Sequence, residues 1–178
     1  HKEVHNVYGS CMAEATYEGL KKHDNRRPFV ITRACYSGVQ KYSTIWTGDN
    51  QSIWPHLQLS IAQLCNLGMC GAIFNGTDIG GFGTNTHKEL LIRWLEASLF
   101  NPLFRNHTEV ASIHQEPWCF DKETIDNMYN VRFCGMPISF LLLDKRKTNT
   151  YCHFCASLLT HVIPDSKRQQ DLPVHPGS

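Results

Sequence analysis

Short apolar, β-branched runs alternate with longer helical patterns between residues 29 and 104, and this alternation restricts the fold more than any other feature. Phe29-Val30-Ile31-Thr32 reads as a buried strand and Tyr42-Ser43-Thr44-Ile45-Trp46 as a second, with Ser37-Gly38-Val39 turning between them. Residues 52–67 place Ile53, Trp54, Leu57, Ile61, Leu64 and Cys65 on one helical stripe, with Pro55 tolerated in the first turn and Gly68 as the stop. Ala72-Ile73-Phe74 is expected to be a third strand and Leu103-Phe104 a very short fourth. Between them residues 88–100 form a helix with Leu91, Trp94, Leu95 and Leu99 inward, opened by a Thr86/Glu89 capping box and ended by Pro102. A helix over residues 11–22 precedes them all, its apolar face made of Met12, Ala13, Thr16 and Leu20. Parallel neighbours need a crossover of a dozen or more residues, so this spacing predicts parallel β/α units. About four units fit, which makes either a doubly wound sheet or part of a (β/α)₈ barrel.

Polar residues recur after these strands: Arg33 after the first, Trp46 and Asp49 after the second, Asp78 after the third and His107 after the fourth. Strand ends converge on one face of a barrel, where catalytic groups gather from different strands. Asp49, delivered by Ile45-Trp46-Thr47-Gly48, is the expected catalytic residue. Each residue alone has a simpler reading as a turn former, a cap or a surface cation, and their repetition after every strand argues against that. Gly80-Gly81-Phe82-Gly83 matches no phosphate-binding pattern and reads as a tight turn that projects Phe82 into a pocket.

Composition narrows the partners. A formal net charge of +1 with interspersed signs offers no field for nucleic acid or an anionic membrane. No apolar stretch is long enough to suggest a membrane span, and the opening His1-Lys2-Glu3-Val4-His5 lacks a signal-peptide core. Opening on His rather than Met suggests a piece of a longer chain. The eight cysteines sit mostly among apolar neighbours and read as small hydrophobes, pointing to a reducing, cytoplasmic compartment. Acceptor sequences at Asn50, Asn75 and Asn106 fall in loops expected to face a substrate, where a glycan would block the site, so they read as coincidental. Cys152-His153-Phe154-Cys155 with His161 has only partial zinc spacing, and no metal is expected.

Several segments in register resemble glycoside hydrolase family 31, the α-glucosidases and α-xylosidases. They are His5-Asn6-Val7-Tyr8-Gly9, Arg33, Trp46-Thr47-Gly48-Asp49-Asn50, Gly76-Thr77-Asp78-Ile79-Gly80-Gly81-Phe82, Arg93-Trp94, Phe104-Arg105-Asn106-His107 and Gln115-Glu116-Pro117-Trp118. The resemblance covers about residues 5–130 and implies the second half of a (β/α)₈ barrel, strands five to eight, over residues 1–132. It makes Asp49 the general acid/base. Arg33 and His107 would hydrogen-bond the sugar beside the cleaved bond, Trp46 and Phe82 would wall it, and Asp78 and Arg105 would line or support the pocket. No cofactor is implied, and the substrate would be an α-linked glucoside or oligosaccharide opened from its non-reducing end with retention.

Retention needs two carboxyls about 5 to 5.5 Å apart, one as nucleophile and the other as acid and then base. Asp49 must start protonated in that role, and an apolar neighbour such as Trp46 would favour its neutral form. The W-x-D-M-N-E type segment that carries the family's nucleophile is not present in these 178 residues, so the chain alone is expected to be inactive. The same family resemblance leaves room for α-xylosidase, α-glucosyltransferase or glucan lyase chemistry. A non-catalytic sugar-binding remnant, or a half-barrel that pairs with its missing half or with itself, remains a different class of reading. Residues 133–178 lose the likeness at Phe133-Cys134-Gly135-Met136-Pro137 and end in polar sequence expected to be disordered.

Overall fold

The computed structural model describes residues 1–23 and 26–130. In chain order it places α1 (Tyr8–His23), β1 (Ile31–Thr32), β2 (Thr44–Trp46), α2 (Trp54–Met69), β3 (Asn75–Gly76), β4 (Asp78–Ile79), α3 (Lys88–Ser98) and β5 (Arg105–Asn106). Single 3-10 turns lie at Val39–Lys41 and Pro117–Cys119, and residues 122–130 are helical. Every strand pair is parallel. β3 and β4 form one stretch interrupted at Thr77: β3 pairs back to β2, and β4 pairs forward to β5. The strands therefore follow one another in space as they do in sequence, the succession used in the wall of an α/β barrel. The β1–β2 crossover carries only the 3-10 turn in place of a full helix.

α3 anchors the main core. Leu90, Leu91 and Trp94 are fully buried, with Leu95 nearly so, and they pack with Leu57 of α2, Ile79 of β4 and Met128. Each such side chain contributes about 1.5–3 kcal/mol by leaving water. A smaller cluster joins Ala13, Val39, Ile45 and Ala72. The inward face expected for α3 is the one observed, including Leu99.

Other expectations shift. Only Ala13 of the α1 stripe is buried, while Met12 and Leu20 lie exposed. Phe29 is 60% exposed and Ile31 36%, so the first strand is not buried: among the described residues β1 pairs only with β2 and stands at an edge. The third strand begins three residues after the expected Ala72-Ile73-Phe74, and the fourth two residues after Leu103-Phe104. The Phe74 carbonyl already accepts from the Ile45 N–H, so the ladder to β2 begins at the end of the expected run, and Gly76 leaves room for the Leu103 backbone, which approaches β3 from its other side. α2 passes through Gly68, and the left-handed residue beyond its end is Gly71, at φ 85°. The expected capping box does not form. His87 takes the N-cap and accepts from the Leu90 N–H, because an imidazole nitrogen serves as acceptor there, while the buried Thr86 hydroxyl has no partner.

The five described cysteines, Cys11, Cys35, Cys65, Cys70 and Cys119, are free, but all are exposed and not packed as hydrophobes. Cys134, Cys152 and Cys155, the partial zinc pattern and the polar tail lie outside the described residues. Among the described residues no helix is long and apolar enough to cross a membrane, and no three metal-ligating side chains gather.

Asp121 precedes the 122–130 helix and accepts from both the backbone N–H and the hydroxyl of Thr124, at 2.9 and 2.7 Å. With Lys88 beside it as well, its carboxyl is held down to about 2, below the ordinary 3.8. The unfolded chain thus binds this proton at higher pH than the folded one. The stabilisation is present above about pH 4 and lost as pH falls through 2. Acid unfolding of wild type and Asp121→Asn should accordingly show a gap near neutrality that closes between pH 4 and 2; a gap constant across that range would refute the assignment.

Candidate active site

The expected site residues stand in or just after the parallel strands. Arg33 follows β1, Trp46 closes β2 with Asp49 three residues on, Asp78 opens β4, Arg105 opens β5 and His107 follows it. Five of them form one connected set. Arg33 Nη1 lies 3.3 Å from Asp49 Oδ2. The Arg33 and Arg105 guanidinium carbons sit 5.6 and 5.2 Å from the centre of the Trp46 ring, within cation–π range. Trp46 Nε1 donates to Asp78 Oδ2 at 3.1 Å, and Arg105 donates to Asp78 Oδ1.

Asp78 is fully buried. Burial pushes its carboxyl above the ordinary range, while the bonds from Arg105 and Trp46 and the nearby His107 ring pull the other way. Asp49 differs: its side chain is 39% exposed, it lines a polar cleft of ≈ 200 Å³ with Thr47, Asn50, His56 and Thr77, and its bonded partner is a cation. The Trp46 ring carries two guanidinium groups, an arrangement more polar than the apolar wall read from the sequence.

Phe82 and His107 make the second part. Their rings stack at 5.3 Å with 31° between planes. The turn that presents Phe82 has Gly80 at φ 88° and Gly81 at φ 90°. Gly81 also has no room, since a Cβ there would lie 2.5 Å from the Ser52 backbone. Gly81→Ala should therefore cost about 1–3 kcal/mol from conformation alone. Urea unfolding would read it, and a loss below about 0.5 kcal/mol would show that the turn relaxes.

Sequence reading passed over the residue that joins the two parts. Asn50 donates to Thr77 Oγ1 at 2.6 Å and to the Asp78 carbonyl at 3.1 Å, and its Oδ1 accepts from the Phe82 N–H at 2.9 Å. It fixes the Asp49 loop against the strand end and the glycine turn at once. Gln115, 3% exposed, adds a bond from Nε2 to the Gly81 carbonyl. The signal for Asn50 is its place beside the acid in Trp46-Thr47-Gly48-Asp49-Asn50, from which sequence alone assigns it no role. Asn75 is buried with its amide on the Ala72 carbonyl, and Asn106 donates to the Gln115 carbonyl, so all three acceptor amides already make internal bonds. Asn75 and Asn106 lie in strands and not in substrate-facing loops.

The Glycosyl hydrolases family 31 TIM-barrel domain matches residues 1–140. The chain belongs to glycoside hydrolase family 31. It is 52% identical over 146 residues to Alpha-glucosidase 2 of Bacillus thermoamyloliquefaciens, a match that covers 80% of this chain and 19% of that protein. Identity to human Neutral alpha-glucosidase C is 46% over 125 residues, covering 69% of this chain and 14% of the relative. Among solved structures, a Family 31 alpha-glucosidase from Bacteroides thetaiotaomicron superposes with a TM-score of 0.72 at 35% identity, over 83% of this chain and 26% of that one. The family 31 chain thus spans under one fifth of the length of these curated relatives, within their TIM-barrel domain. Its α/β barrel class agrees with the parallel strand succession and with the family read from the motifs.

Proposed function

We propose that this chain carries the acid/base part of a retaining α-glucosidase site, with Asp49 as general acid and then base. The observation that supports it most is the joined set Arg33–Asp49, Trp46–Asp78–Arg105 and Phe82–His107 at successive strand ends of a family whose matched relatives are named α-glucosidases. Exposure to the cleft leaves Asp49 open to a leaving oxygen, and Arg33 can release it to bind a sugar hydroxyl when substrate enters. His107, stacked on Phe82, offers a ring nitrogen to another hydroxyl. A hydroxyl that donates to that ring nitrogen does so more strongly as positive charge builds on the sugar ring, whereas Arg33 serves to orient the sugar. Asp78 is buried and twice bonded, and its role is to hold Trp46 and Arg105.

The nucleophile belongs to the part of the barrel outside this chain, and the partner that completes the site is that part. The outer edge of β1 and the exposed Phe29, Ile31 and Phe74 supply a surface for it. The five described cysteines, all free, suit a reducing compartment.

A graft tests the reading. Residues 1–130 should replace the aligned segment of the Bacillus α-glucosidase and give hydrolysis of p-nitrophenyl α-glucoside, while the 178-residue chain alone, folded by circular dichroism, should give none. A folded but inert graft that still binds glucose would leave a sugar-binding remnant and defeat the proposal. Turnover by the isolated chain would mean that a carboxylate within it serves as nucleophile.

A further inference from the structure

The loop that carries Asp49 is fastened on one side by backbone bonds and on the other by a histidine. The Asn50 carbonyl accepts from the Phe82 and Gly83 N–H groups, both at 2.9 Å, and the Ser52 N–H donates to the Gly83 carbonyl at 2.9 Å. Together they make a parallel bridge between Gln51 and Gly83. Asn50 and Ser52 supply the bonds of that bridge, so the N–H of Gln51 itself points away from Gly83. It donates on the opposite side to His56 Nδ1, at 2.7 Å.

His56 is the third residue of α2, a helix that begins without a side-chain cap, since Ile53 at its N-cap makes no such bond. The ring reaches back five residues to the loop instead. Accepting a hydrogen bond requires a bare Nδ1, so the proton of the ring stands on Nε2. The same residue lines the ≈ 200 Å³ cleft to which Asp49 is exposed, and Asp49 is the other ionisable residue lining it. On the far side of the acid Gly48, at φ 95°, is a permissive joint.

We propose that His56 is a positioning residue for the acid/base: its Nδ1 ties the Asp49 loop to the start of α2 and sets where the Asp49 carboxyl stands along the cleft. The role rests on Asp49 being the general acid and base, and it adds a residue that lies at no strand end. Asn50 holds the loop against β4 and the glycine turn, and His56 holds it against the helix. Without the imidazole acceptor the half-buried Gln51 loses the partner of its N–H, and the loop is free to turn about Gly48. A displacement of about 1 Å in a reacting group costs on the order of 10²-fold in rate.

Two substitutions separate the nitrogen from the ring. His56→Phe keeps a ring and removes the acceptor, whereas His56→Asn removes the ring and puts Oδ1 where Nδ1 stood. In the full 178-residue chain, amide hydrogen exchange at Gln51 should be at least about tenfold faster with Phe and near wild type with Asn. Ser52, whose N–H is held by the Gly83 carbonyl, should stay unchanged in both. In the grafted α-glucosidase, Phe should lower kcat on maltose about 10- to 100-fold with KM within about threefold, and Asn should keep most of the wild-type kcat. Gln51 exchange that ignores the Phe substitution, or that rises together with Ser52, overturns the proposal. A grafted Phe variant with normal kcat overturns it too, leaving His56 as a bond at the helix start alone, and so does an Asn variant as slow as Phe. A graft that is inert with His56 in place counts against the acid/base reading, and Gln51 exchange then decides by itself whether His56 holds the loop.

Discussion

Asp49→Asn, placed in the grafted α-glucosidase, should lower kcat on maltose by about 10²- to 10⁴-fold, the usual worth of a positioned proton donor. The argument rests on what each half-reaction asks of the carboxyl. A sugar alkoxide leaves only if protonated, so the first step loses its acid. A nitrophenolate leaves without a proton, so p-nitrophenyl α-glucoside should keep much of its first step and stall at the second, where Asp49 would have activated water. An anionic nucleophile such as azide needs no base, and it should restore turnover of that substrate as glucosyl azide. If both substrates lose equally and azide changes nothing, Asp49 acts by holding Arg33 at 3.3 Å, and it is a positioning residue rather than the acid/base.

The parts of this site that sequence could show are those whose chemistry is unusual where they stand. An acid after Trp46-Thr47-Gly48, a glycine pair before Phe82 and an Arg105/His107 pair all interrupt apolar sequence, and all lie at strand ends. The strands themselves were harder to place. Their paired residues are two or three long and mostly polar or small: Asn75, Gly76, Asp78, Arg105 and Asn106. Apolar runs mark where side chains accumulate, whereas the ladder is set by backbone pairing between strands distant in sequence, Asn75 with Ile45 and Gly76 with Trp46. Burial depends on the same distant neighbours. Phe29, Ile31 and Ile73 are apolar yet exposed, because local pattern cannot say whether a neighbour covers the face. The Asn50 clamp depends on three partners from 27 to 32 residues away, and no local spacing announces that.

Arg105→Met should cost about 3–5 kcal/mol of stability at neutral pH, the range for removing one member of a buried ion pair. Methionine keeps much of the apolar stem against Trp46 but takes both the charge and the donor from Asp78, which is fully buried and would be left with only Trp46 Nε1. Burial already raises the Asp78 carboxyl, and Arg105 is the larger of the groups opposing that rise. Without Arg105 the carboxyl rises further, and the folded state binds a proton that the unfolded state has released. Stability of the variant must then fall as pH rises from the ordinary carboxylate value through the raised one, so the deficit against wild type widens toward neutral pH and narrows in acid. Urea titrations at several pH values would show it. Asp78→Asn combined with Arg105→Met should recover part of the loss, since a neutral amide can accept from Trp46 without needing a cation. A deficit that is below about 1 kcal/mol, or flat with pH, would mean that water already shares the carboxylate's charge. In that case Trp46 would be oriented by packing alone, and the link from β5 through Asp78 to the acid-bearing β2 would carry little of the site's rigidity.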